Sequence, residues 1–138
     1  MKLKALVLGL CMVVFGGAVA GNTHVHPKAD AGTKIEAAKK NTYPGYCQIE
    51  VINHSYSAIR VFTTYPDNYS DTFTIEAYEY PHHISLMYYG SCLSSLLVTI
   101  KSTVYPYYTL YSGYAPVHTT LRIVPTMHKG QKVEIQAK

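Results

Sequence analysis

Seven histidines, three cysteines and a few carboxylates hold the reactive chemistry of this 138-residue chain. His24 and His26 stand two apart near the N-terminus, and His82 and His83 are adjacent. His118 and His128 fall in loops, the latter beside Met127. Imidazoles gathered with thioether or carboxylate groups can ligate copper or zinc. That makes His24, His26, His82 and His128 the metal candidates. In a chain beginning at Asn22, His24 in third position could also wrap Cu(II) or Ni(II) with the amine and two amides. Neighbours on a strand point to opposite faces, so His82 and His83 would not chelate together. The expectation is that the histidines are solvated loop residues, with no metal and no cofactor.

Cys47 and Cys92 form the natural disulfide pair, because Cys11 lies inside an N-terminal apolar run. A C-x-x-C redox motif is absent, which favours a structural bridge. Asp67, Asp71, Glu76 and Glu79 could supply a carboxylate pair for glycoside hydrolysis. Gly90-Ser91-Cys92 is not the G-x-S-x-G of a nucleophile elbow. The reading is therefore no enzyme, with a hydrolase kept as second alternative.

Tyrosine is the strongest functional lead: 14 Tyr against 3 Phe and no Trp. Its apolar ring and polar tip suit binding surfaces at low entropic cost. Tyr105, Tyr107, Tyr108, Tyr111 and Tyr114 crowd one stretch and are the predicted partner-binding patch. The competing account is that Tyr is a good strand former whose ring covers sheet surface.

The elements that must position these groups follow from the patterning. Lys2 and Lys4, the apolar run Ala5–Phe15 and the Ala18-Val19-Ala20 site predict a signal peptide over Met1–Ala20. The run is too short to span a bilayer, so no stable membrane anchor is expected after cleavage. The region Gly21–Tyr46 reads as a linker or short helix. Thr33 and Glu36 fit a capping box, and Glu36 and Lys40 stand four apart, which supports a helix over Lys34–Lys40.

From Cys47 the apolar residues alternate, as in Ile49 and Val51, Leu96, Val98 and Ile100, or Val133 and Ile135. Turn residues recur about every ten positions. The prediction is one all-β domain over Cys47–Lys138, a mostly antiparallel β-sandwich of about eight short strands with one disulfide. Ser112–Pro116 reads as a loop. Asn53 and Asn68 open N-x-S sequons. The net charge of +4 falls to +2 without Lys2 and Lys4. No basic run remains, which argues against nucleic acid as a partner.

The segments Cys47–Asn53, Pro81–Leu86 and Thr120–Pro125 resemble ones in small exported proteins of Legionella-type bacteria. That resemblance implies export and a β fold, and it transfers no activity and no site residues. The combined expectation is a secreted or periplasmic binding module for a protein partner or other surface ligand. A periplasmic metal-binding protein is the first alternative.

Overall fold

The computed structural model describes residues 22–30, 47–127 and 130–137. The predicted signal segment Met1–Ala20, the helix predicted over Lys34–Lys40 and the metal candidate His128 lie outside the described residues. What is described is all-β, with eleven strands. Three have only two residues: β1 (Thr23–His24), β6 (Met87–Tyr88) and β7 (Ser91–Cys92). The other eight correspond to the expected ones: β2 (Gln48–Asn53), β3 (Ile59–Thr64), β4 (Ser70–Ile75), β5 (His82–Ser85), β8 (Ser95–Ser102), β9 (Thr109–Pro116), β10 (Thr119–Pro125) and β11 (Gln131–Ala137).

Nine of the eleven form two sheets packed face to face, and β6 and β7 pair separately as a small antiparallel ribbon. One has five strands in the order β1-β5-β2-β10-β11, the other four in the order β4-β3-β8-β9. The four-stranded sheet is wholly antiparallel. The five-stranded sheet is mixed, because β1–β5 and β2–β10 pair in parallel. Parallel neighbours need a crossover. Between β2 and β10 the chain makes it by building the opposite sheet.

Alternation places one apolar row of each strand between the sheets. Ile49, Val51, Leu121 and Ile123 meet Val61, Val98 and Ile100, all fully buried. The Cys47–Cys92 disulfide ties the entry of β2 to β7. It closes a loop with a sequence separation of 45. Such a cross-link places the chain in an oxidising, non-cytoplasmic environment. Among the described residues no helix is long and apolar enough to cross a membrane.

A buried amide joins the sheets at one end. The Asn53 side chain donates to the carbonyls of Ser57 and Ile75 at 2.9 and 3.1 Å. Its Oδ1 accepts from the Ser55 amide and hydroxyl at 3.1 and 2.6 Å. With Asn53 fully buried, its sequon is closed to modification in the folded protein, whereas that of Asn68 lies exposed in the β3–β4 turn.

Two local features depart from the sequence pattern. Phe73, Ile75 and Ala77 alternate with Thr74, Glu76 and Tyr78, yet β4 stops at Ile75. There Glu79 accepts the Glu76 amide at 2.7 Å and Tyr78 takes a positive φ of 58°. The loop expected at Ser112–Pro116 is the second half of β9. β9 is an edge strand, where Pro116 is tolerated because no further strand calls for the N–H it lacks.

Candidate functional site

The sequence drew the domain boundary at Cys47, yet Asn22–Asp30 packs on the same two sheets. β1 pairs with His83 and Ile84 of β5, and Ala29 is buried in the core. Tyr89 and Gly90 donate their amides to the carbonyls of Lys28 and Ala29 at 3.0 and 2.8 Å. Two histidines fasten this strap.

His24 reaches across the edge between the sheets. Its Nε2 shares a hydrogen bond with His82 Nδ1 at 2.8 Å, and its Nδ1 faces Asp71 at 3.4 Å. The ring stacks on Phe73 with centroids 3.5 Å apart and planes 7° from parallel. His82 continues the line to Glu79 at 3.2 Å. Burial and the neighbouring His82 hold the His24 pKa below its usual value, against the opposing pull of Asp71. The Glu76 amide, helped by His82, holds the Glu79 carboxyl below the usual carboxylate range.

His26 sits apart from this line and is buried. The Lys28 amide donates to its Nδ1 at 2.9 Å. The ring hydrogen therefore sits on Nε2 and is donated to Asp67 at 2.9 Å. Tyr65, Tyr69 and Tyr88 surround the ring at centroid distances of 4.7 to 5.1 Å. Tyr65 donates its buried hydroxyl to the Ser85 carbonyl at 2.6 Å, and burial pushes that phenol far above its usual pKa.

Of the metal candidates, His24 and His82 thus come together and His26 stands alone. Among the described residues no group of three or more His, Cys, Asp or Glu converges as a metal site. These side chains organise an edge, where the sequence had suggested solvated loops.

The predicted tyrosine patch divides by strand geometry. Tyr105, Tyr107 and Tyr108 lie in the β8–β9 loop. Tyr105 and Tyr107 are 81% and 64% exposed, with rings edge to face at 6.0 Å. Tyr108 accepts the Gln131 amide on its hydroxyl at 2.9 Å, which ties the loop to β11. Tyr111 pairs with Ile100 and packs against the core, where burial raises its pKa. Tyr114 points outward, 70% exposed, at the far end of β9 beside Leu97.

The loop that presents Tyr105 and Tyr107 is pinned on several sides. The Ser102 amide donates to the Tyr108 carbonyl at 3.0 Å, and the Tyr107 amide to Val104 at 2.8 Å. Thr103 donates its hydroxyl to the Ala58 carbonyl at 2.7 Å. Tyr105 overhangs a cleft of about 210 Å³ bounded by Ser57, Tyr108 and Gln131.

Beside the loop, the outer face of the four-stranded sheet has a composition the sequence alone conceals. Register assembles three rows across β4, β3, β8 and β9. They read Ser70-Thr64-Leu97-Tyr114, Thr72-Phe62-Thr99-Ser112 and Thr74-Arg60-Lys101-Thr109. None of these positions is acidic. The corresponding face of the other sheet mixes signs, with Arg122 opposite Glu134 and Glu50 opposite His83. Arg60, Phe62 and Lys101 escaped the sequence reading because only strand pairing makes them neighbours.

No family model and no curated protein matches the chain. Among solved structures, a chain described as "Trapped Toxin" is similar at a TM-score of 0.44 and 12% identity, over 66% of this chain. This chain spans 23% of that structure's length.

Proposed function

We propose that this protein is an exported binding module whose ligand surface is the β8–β9 loop with the adjoining outer face of the four-stranded sheet. One observation carries the reading: Tyr105 and Tyr107 stand 81% and 64% exposed on a loop held by its own hydrogen bonds. Large rings left in water have no folding role, and a pre-ordered loop spares a complex the entropy of ordering it. The leader-like Met1–Ala20 segment and the disulfide support export. The partner is a protein or another surface ligand.

The test is affinity capture from the envelope and medium of the native source, with wild type and Tyr105→Ala/Tyr107→Ala as paired baits. The reading expects the variant to keep its melting temperature and lose the captured partner. Equal capture by a folded variant would remove this surface from the account.

A further inference from the structure

We infer that the outer face of the four-stranded sheet holds a site for an acidic sugar, centred on Arg60, Lys101, Phe62 and Tyr107. The inference deepens the binding-module reading and rests on it.

The first ground is an electrostatic arrangement that folding alone does not explain. Arg60 and Lys101 stand directly opposite each other on β3 and β8. Cross-strand partners have Cβ atoms roughly 5 Å apart, and like charges so placed repel. Their flanking neighbours in the row are Thr74 and Thr109, both neutral. Among the described residues neither cation forms a salt bridge. An anion between them relieves the repulsion, and the Arg fork suits a carboxylate or sulfate in bidentate geometry.

The second ground is shape and lining. A groove of about 320 Å³ opens here, lined by Arg60, Phe62, Lys101, Ser102, Thr103 and Tyr107. That is near the lower end of small-molecule sites. It has two aromatic rings as well as two cations, and the Lys101 ammonium lies 5.4 Å from the Phe62 ring centroid. A bare inorganic anion would use only the cations.

A pyranose carrying an acid group matches all three surfaces. Its C–H face packs on an aromatic ring, its hydroxyls meet Tyr107 and the Thr99–Ser112 hydroxyl pair, and its anion meets Arg60 and Lys101. Thr99 and Ser112 stand 3.1 Å apart in the row next to the cations. Two cations on a hydroxyl-rich face fall short of the basic stripe that tracks a nucleic-acid backbone.

The experiment is an amide chemical-shift titration of the disulfide-bonded protein with five probes. These are a trigalacturonate, a sulfated chondroitin disaccharide, neutral maltotriose, inorganic sulfate and tetraglutamate. At least one acidic sugar is expected to shift the amides of Arg60, Phe62, Lys101 and Tyr107. Maltotriose, sulfate and tetraglutamate should bind roughly tenfold more weakly or worse, as expected when a charge-assisted hydrogen bond or the ring contact is missing. The stronger of the two acidic sugars identifies the acid as carboxylate or sulfate.

Arg60→Gln/Lys101→Gln should weaken that binding by about tenfold or more without lowering the melting temperature. Absence of binding by both acidic sugars overturns the inference. So does equal binding by sulfate or tetraglutamate, or full binding by a folded Arg60→Gln/Lys101→Gln protein. If the sugars fail while Tyr105→Ala/Tyr107→Ala still abolishes partner capture, the inference alone falls. If capture is also unaffected, the binding-module reading falls with it.

Discussion

Histidine and tyrosine are put to opposite uses at two places in this molecule. At the edge closed by β1, they are turned inward. His26 is ringed by Tyr65, Tyr69 and Tyr88, and His24 stacks on Phe73. The polar atoms of His24, His26, His82 and Tyr65 are spent on one another and on nearby carboxylates and backbone. In the β8–β9 loop, Tyr105 and Tyr107 are turned outward over grooves, while the loop is shaped by backbone hydrogen bonds and by the hydroxyls of Thr103 and Tyr108. The first arrangement closes a fold. The second leaves ring area free for a partner. Residue type does not decide between these fates. The decision rests on whether a second element arrives to cover the ring.

The sharpest way to break the comparison is to loosen the closed edge. Removing the disulfide with Cys47→Ala/Cys92→Ala should destabilise the fold by about 4 kcal/mol in the chain-entropy model. Urea unfolding would read this, and a loss under 1 kcal/mol would mean that the bridge adds little to an edge already held by other contacts. Next in size is Tyr65→Phe, which strips the buried Ser85 carbonyl of its partner. An unsatisfied buried acceptor costs about 1–3 kcal/mol. The same Tyr→Phe change at Tyr105 should be silent in thermal melts, and equal effects at both positions would erase the contrast.

Acidification should act on the closed edge in two stages. The His24 pKa is depressed in the folded state, so the unfolded chain binds the proton more readily. Stability is then full above the unfolded value of 6.5 and declines as pH falls through 6.5 toward the depressed folded value. Glu79 and Asp67 are also depressed: Glu79 by the Glu76 amide, Asp67 because the Tyr69 amide and His26 outweigh its desolvation. Their contributions persist above the ordinary carboxylate range and disappear as pH falls through the folded values. A His24→Gln variant should flatten only the upper stage of a stability–pH curve. The smallest effect belongs to Tyr105→Ala/Tyr107→Ala, within about 0.5 kcal/mol of wild type in unfolding, as for surface substitutions generally. A loss of several kcal/mol there would make that loop structural too.

Much of the fold was legible because alternation is local. Ile49 and Val51, or Leu96, Val98 and Ile100, announce their strands and their buried face within a few residues. The disulfide was legible because only two cysteines lie beyond the N-terminal apolar run. The parallel pairing of β2 with β10 was not, since it joins residues about seventy apart through the other sheet. His24 gave no sign of meeting His82, 58 positions away. The 105–114 tyrosines look like one patch in sequence. In space the inward and outward sides of β9 separate Tyr111 from Tyr114, and the turn before β9 sets Tyr105 and Tyr107 apart from both. The cationic pair is hidden in the same way, because Arg60 and Lys101 become neighbours only through β3–β8 register.

The central contrast can be tested without knowing the partner, by tyrosine nitration followed by peptide mass mapping. The protein would be nitrated alone and again in the presence of the envelope and medium fractions of its source. Tyr105 and Tyr107 should react readily in the free protein and become protected in the fractions, with Tyr65 unreactive throughout. Rapid nitration of Tyr65, or unchanged reactivity of Tyr105 and Tyr107 in every fraction, would contradict the division between a closed edge and a binding surface.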